Sequence, residues 1–107
     1  MNGHDHGDDF KIVDDVPFYT VNSATYVWCG FHIMSSEELR EKYGYLNGYL
    51  LYKQAFCVDV EIDDKEIRIS GMNGEYLAVS PDDIGLAEYR WNGVSIKPQT
   101  SSVVVKL

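Results

Sequence analysis

Residues 55–70 read AFCVDVEIDDKEIRIS, and the register of this stretch decides what kind of sheet the chain builds. Phe56, Val58, Val60 and Ile62 alternate with Cys57, Asp59 and Glu61, and Ile67 and Ile69 alternate with Arg68 and Ser70. A period of two marks strands with one apolar face. Between the runs lies Asp63-Asp64-Lys65-Glu66, a turn composition. A two-residue loop would set Glu61 against Glu66, two like charges in direct opposition. A four-residue loop, Asp63–Glu66, sets Ile62 against Ile67 and Glu61 against Arg68, so apolar and charge pairs agree. The stretch is therefore an antiparallel hairpin, and it opens a meander at Ala55.

The same test carried downstream gives two more turns. A three-residue loop around Met72-Asn73-Gly74 pairs Ile69 with Leu77 and Ile67 with Val79, with Gly74 at the left-handed position. Ser80-Pro81-Asp82-Asp83 then breaks the strand and starts a single helical turn. Asn92-Gly93 is the strongest short hairpin signal in the chain. As a two-residue turn it pairs Trp91 with Val94, Tyr89 with Ile96 and Glu88 with Lys97. After a loop over Pro98–Ser102, Val103–Leu107 forms a last strand.

Upstream, Ala24–Met34 (ATYVWCGFHIM) is apolar on both alternating faces and reads as a central strand covered on both sides. One helix is expected, Ser36–Tyr43. Ser35 is its cap, Glu38 completes a capping box, and Gly44 is a left-handed stop. Tyr45–Gln54 has no clear period, although Asn47-Gly48 signals a turn. Phe10–Val13 and Val16–Val21 are short strands separated by Asp14-Asp15, with Pro17 arguing for a sheet edge. Residues 1–9, MNGHDHGDD, read as a flexible polar tail ahead of a single domain over residues 10–107. The expected fold is α+β. An antiparallel twisted sheet of about six strands, a meander that is partly rolled, carries one short helix packed on it.

Composition narrows the function. Nine basic residues against seventeen acidic ones give a net charge of −8. A chain of that charge is repelled by phosphate backbones and anionic lipid, so direct binding to nucleic acid or membrane is disfavoured, and a basic protein is steered toward it. Cys29 and Cys57 lie in apolar stretches and read as small buried hydrophobes. With no signal peptide and no spanning segment in this reading, the expected location is cytoplasmic.

No phosphate loop, G-x-S-x-G, paired C-x-x-C or H-E-x-x-H pattern occurs. His4-Asp5-His6 with Asp8 and Asp9 offers imidazole and carboxylate donors of the kind that bind zinc, copper or nickel, but a tail gives them no fixed geometry. His32 reads as a satisfied core histidine. On a regular strand it faces away from Cys29, and only Cys57 on a neighbouring strand could reach it. The doublets Asp14-Asp15, Asp63-Asp64 and Asp82-Asp83 read as turn chemistry. The catalytic, cofactor and metal assignments from sequence are accordingly none.

Tyrosine is the remaining signal, eight residues in all. Tyr43, Tyr45, Tyr49 and Tyr52, together with Asp59, Glu61, Asp63 and Asp64, have the composition of a partner-binding surface in which aromatic anchors and acidic steering combine. The expected function is a small acidic non-enzymatic binding protein that inhibits or neutralises a basic protein partner. An immunity protein against a nuclease, or a phage-type inhibitor that mimics nucleic acid before a nucleic-acid enzyme, has this chemistry. Two alternatives stand beside it: a self-associating structural or assembly subunit, hence a homo-oligomer, and a small ligand-binding protein or enzyme built on His32 and Cys57.

Overall fold

The chain folds as an α+β protein, and among the described residues every strand pair is antiparallel. A computed structural model describes residues 1, 6–86, 90–91 and 94–107. The strands are β1 (Asp9–Val13), β2 (Val16–Thr20), β3 (Tyr26–Trp28), β4 (Tyr49–Leu51), β5 (Asp59–Ile62), β6 (Glu66–Ser70), β7 (Arg90–Trp91), β8 (Val94–Ser95) and β9 (Val103–Lys106). Helices α1 (Gly30–Met34) and α2 (Glu37–Tyr43) lie between β3 and β4. Short 3-10 turns occupy Gly44–Leu46 and Pro81–Ile84. Among the described residues the strands divide into four small sheets, β1-β2, β3-β4, β5-β6-β9 and β7-β8, rather than one continuous meander.

The β5–β6 hairpin has the register that its charges require: Glu61 opposes Arg68 and Ile62 opposes Ile67. Asp63 closes the turn by accepting the backbone N–H groups of Lys65 (2.7 Å) and Glu66 (2.9 Å), the local capping for which Asp is favoured in turns. The Trp91–Val94 pairing also holds. The proposed pairs of Tyr89 and Glu88, and the Asn92-Gly93 turn itself, lie outside the described residues. Asp14 and Asp15 form a two-residue turn at φ 50° and 62°, joining β1 to β2 with Val13 opposite Val16. Pro17 sits in β2, an edge strand. Ser80 and Asp83 cap the Pro81–Ile84 turn reciprocally.

Four expectations are corrected. First, Ala24–Met34 is not one central strand. β3 stops at Trp28 and α1 begins at Gly30, where an added Cβ would lie 2.5 Å from the Trp28 ring. Only glycine lets the chain fold back under that indole. Second, residues 71–79 do not pair with β6. That edge is taken by β9, with Ile67 opposite Val105 and Ile69 opposite Val103. β9 offers a matching apolar face, and Lys106 reaches the buried Glu66 carboxylate, which Arg68 also contacts. Residues 75–77 instead join the 51–53 segment: Tyr52 opposes Tyr76, and Lys53 donates its N–H to the Glu75 carbonyl at 2.9 Å.

Third, the cap of α2 is Ser36, whose hydroxyl accepts the Leu39 N–H at 3.1 Å. Gly44 is right-handed (φ −57°), and the left-handed residues are Asn47 and Gly48. Fourth, the polar stretch over residues 1–9 does not stay outside the fold to its end. Asp8 is buried, and Asp9 begins β1. The Asp8 carboxylate accepts from the Ser101 N–H (2.9 Å), the Ser101 hydroxyl (2.5 Å) and Gln99 Nε2 (3.1 Å).

The main core gathers at one part of the molecule, from Val27, Cys29, Ile33, Tyr43, Leu50, Tyr52, Phe56, Ile84 and Ile96. Asn22 stitches its rim: Nδ2 donates to the carbonyls of Lys97 (3.1 Å) and Gln99 (2.9 Å), and Oδ1 accepts from Tyr52 Oη (3.2 Å). The β5–β6–β9 sheet contributes nothing to that cluster. The molecule is correspondingly long, 54 × 28 × 19 Å. Among the described residues no helix is long and apolar enough to cross a membrane.

Candidate functional site

Antiparallel pairing of β3 with β4 sets Tyr26 against Leu51, Val27 against Leu50 and Trp28 against Tyr49. Strand alternation turns Val27 and Leu50 inward, each only 1% exposed, and turns Tyr26, Trp28, Tyr49 and Leu51 outward. The outer face of this small sheet is thus wholly aromatic and aliphatic. Tyr26 and Tyr49 meet edge to face at 4.9 Å between centroids. His6 caps the row, its ring 5.0 Å from Tyr26.

Helix α1 extends the face. Phe31 is 73% exposed and stands edge-on to Trp28 at 5.0 Å, and Met34 is also exposed. The Trp28 indole lies over two glycines. A Cβ on Gly48 would come 2.5 Å from the Gly30 Cα and 3.0 Å from Trp28 Nε1, and Gly48 itself is left-handed at φ 82°. The Cys29 N–H donates to the Gly48 carbonyl at 2.6 Å and locks the two backbones together. Beside them is a recess of about 300 Å³ whose lining residues, Trp28, Phe31, Ile33 and Met34 among them, carry no charge. Uncharged, concave and rich in aromatic surface, it suits an apolar or cationic side chain of another protein.

The tyrosines and acids expected to act together are separated. Tyr43 and Tyr52 belong to the core. Tyr52 packs on Phe56 and Tyr76 at 4.6 and 5.3 Å, and burial pushes its phenol to about 12. Tyr49 is on the aromatic face, and Tyr45, on the adjoining 3-10 turn, is exposed. Asp59, Glu61, Asp63 and Asp64 are all exposed, but on the β5–β6 hairpin, a different sheet. Glu61 pairs with Arg68 at 3.4 Å, and two backbone N–H groups hold the Asp63 carboxyl below its usual range. Sequence reasoning missed Trp28, Phe31 and Met34 because it placed them in a covered strand. Gly30, followed by Ser35-Ser36, was the signal that the strand breaks.

For bond-making chemistry the geometry offers little. Cys29 and His32 are one helical turn apart rather than on opposite strand faces, so the strand argument against their pairing lapses. Burial nevertheless pushes the Cys29 thiol to about 11, which leaves it protonated at neutral pH. The His32 imidazole is bonded through Nε2 to the Ile84 carbonyl, and Cys57 is exposed rather than buried. Among the described residues no three His, Cys, Asp or Glu side chains converge as a metal site. His4 and Asp5 lie outside those residues. No protein-family model, curated protein or solved structure matches this chain.

Proposed function

We propose that this chain is a non-enzymatic binding protein that captures a basic protein, a nuclease or another nucleic-acid enzyme, and blocks it. The observation that carries the reading is the uncharged aromatic face of β3, β4 and α1, on which Trp28, Phe31 and Tyr49 stand exposed beside a recess. Exposed aromatics around a pocket are the usual source of binding energy at interfaces. The net charge of −8 supplies long-range attraction for a positively charged surface. In this reading the acidic β5–β6 hairpin steers, and the aromatic face anchors. Tyr43 and Tyr52 support the anchor from behind by building the core.

The test uses the immobilised chain and a Phe31→Ala/Tyr49→Ala double variant, with far-UV circular dichroism to confirm that both are folded. A basic nucleic-acid enzyme bound by the wild type should lose activity on addition of the chain. Its affinity should fall about 30-fold or more for the double variant, the size of an interface hot spot. Rising salt should slow association. Equal capture by the double variant, or binding indifferent to salt, would remove this reading.

A further inference from the structure

The three-stranded sheet β5-β6-β9 leaves two outer edges, and their chemistry differs. Leu107 donates its N–H to the Lys65 carbonyl at 2.8 Å. This fixes the phase of the β6–β9 ladder: Val103 and Val105 direct their N–H and C=O groups toward β6, whereas Val104 and Lys106 direct theirs outward. Ser102, Val104 and Lys106 are all exposed, and among the described residues β9 pairs with β6 alone. On the other edge, Asp63 donates its N–H to the Glu66 carbonyl. There Asp59 and Glu61 face β6, and Val60 and Ile62 turn outward.

We infer that β9 is a dimerisation edge, pairing antiparallel with β9 of a second copy about a twofold axis at Val104. That register sets Val104 opposite its own counterpart, Ser102 opposite Lys106 and Val103 opposite the second copy's Val105. The outward N–H and C=O of Val104 then face those of its counterpart, and no like charges oppose. Val103 and Val105 of both copies remain on the sheet face that carries Val60, Ile62, Ile67 and Ile69, so the apolar faces run on without a break.

No antiparallel pairing that uses the β5 edge works. Centring β5 on Val60 sets Asp59 against Glu61, centring it on Glu61 sets that residue against itself, and centring it on Ile62 sets Glu61 against Asp63. Each register opposes carboxylates. Pairing β5 with a second copy's β9 in phase brings Val60 or Ile62 opposite Val104 or Lys106. The apolar face of one copy would then continue into the charged face of the next. A closed isologous dimer through β9 is the arrangement left.

Salt distinguishes this contact from capture of a basic partner. Two chains of −8 repel, so screening should tighten the dimer, whereas it weakens binding of a cation-rich surface. Sedimentation equilibrium of the full chain across concentration and salt should give a monomer–dimer equilibrium that strengthens with salt. In wild-type protein, the Val104 and Lys106 amides should exchange more slowly as concentration rises, while those of Val60 and Ile62 do not change.

Val104→Pro removes an outward N–H without touching the β6 ladder, and should raise the dimer dissociation constant about tenfold or more. Val104→Glu is a second probe. It faces Arg68 within its own sheet but its own counterpart across the axis, and it should also give monomers. Val60→Pro, on the other edge, should leave the dimer intact. A wild-type chain monomeric at every concentration, open polymers, or dimers unaffected by both Val104 variants would overturn the inference.

Discussion

Asp8 is 4% exposed, and its carboxylate collects three hydrogen bonds from Gln99 and Ser101, more than ninety residues away in sequence. Tyr19 adds a fourth tie by donating Oη to the Ser101 carbonyl at 2.8 Å. The β1–β2 hairpin is thereby fastened to the entry of β9 by polar contacts. Asp8→Ala leaves the Ser101 N–H without its acceptor and should lower unfolding free energy by about 2 kcal/mol in urea titration. Asp8→Asn, which keeps one acceptor oxygen, should cost less. Burial also pushes the Tyr19 phenol from 10.0 to about 12, helped by the neighbouring Asp8 charge. Tyr52 behaves alike, and Cys29 rises from 9.0 to about 11. In each case the unfolded chain loses its proton first. The stability these groups contribute is therefore complete below about pH 9 and is lost as pH rises through 11 to 12. A near-ultraviolet phenolate titration of the folded protein should show the Tyr19 and Tyr52 phenols ionising only near 12. Ionisation of both near 10.0 would contradict the burial described here.

At the scale of elements, the glycines separate two roles. Gly48 is left-handed and in contact with Gly30, so Gly48→Ala should destabilise by at least about 1 kcal/mol from the backbone alone, with the clash added. Gly44 is right-handed with nothing within 4 Å of a Cβ. Gly44→Ala should therefore be neutral or stabilise by up to about 1 kcal/mol. Thermal melts of the two variants test the pair together. These elements also show what the chain's residues disclose by themselves. The β5–β6 register was legible because charge and hydrophobic pairing pointed to one loop length. The Ser36 helix was legible to within a residue, since two adjacent serines compete for the cap. The break at Gly30 was harder to read, because Tyr26 to Met34 is apolar apart from His32 and the glycine by itself does not show the Trp28 ring occupying the space of a Cβ. The partner of β6 was missed for a different reason. Pairing tests between sequence neighbours cannot anticipate a strand arriving from Val103. Of the expected interaction residues, Tyr45 and Tyr49 are exposed as a partner surface needs, while Tyr43 and Tyr52 pack inward, a distinction that composition does not encode.

Considered whole, the molecule is extended. Its Cα radius of gyration is 15.6 Å, where a globular chain of 107 residues has about 13 Å. The cause lies in the separation of parts: the principal core is built around β3, β4 and the helices, and the β5–β6–β9 sheet stands outside it. Small-angle X-ray scattering on dilute protein should return a radius well above the globular value, and a radius near 13 Å would contradict the arrangement of the sheets. The total accessible area is 6849 Å², against about 6,100 Å² for a typical monomer of 12.2 kDa. A chain that keeps this much of itself wet when folded has less dry surface left to hydrate when it melts, so its heat-capacity increment is lower than that of a compact chain of equal length, on the order of 5% lower. Its stability curve is flatter by the same modest margin, and cooling from the temperature of greatest stability costs it slightly less.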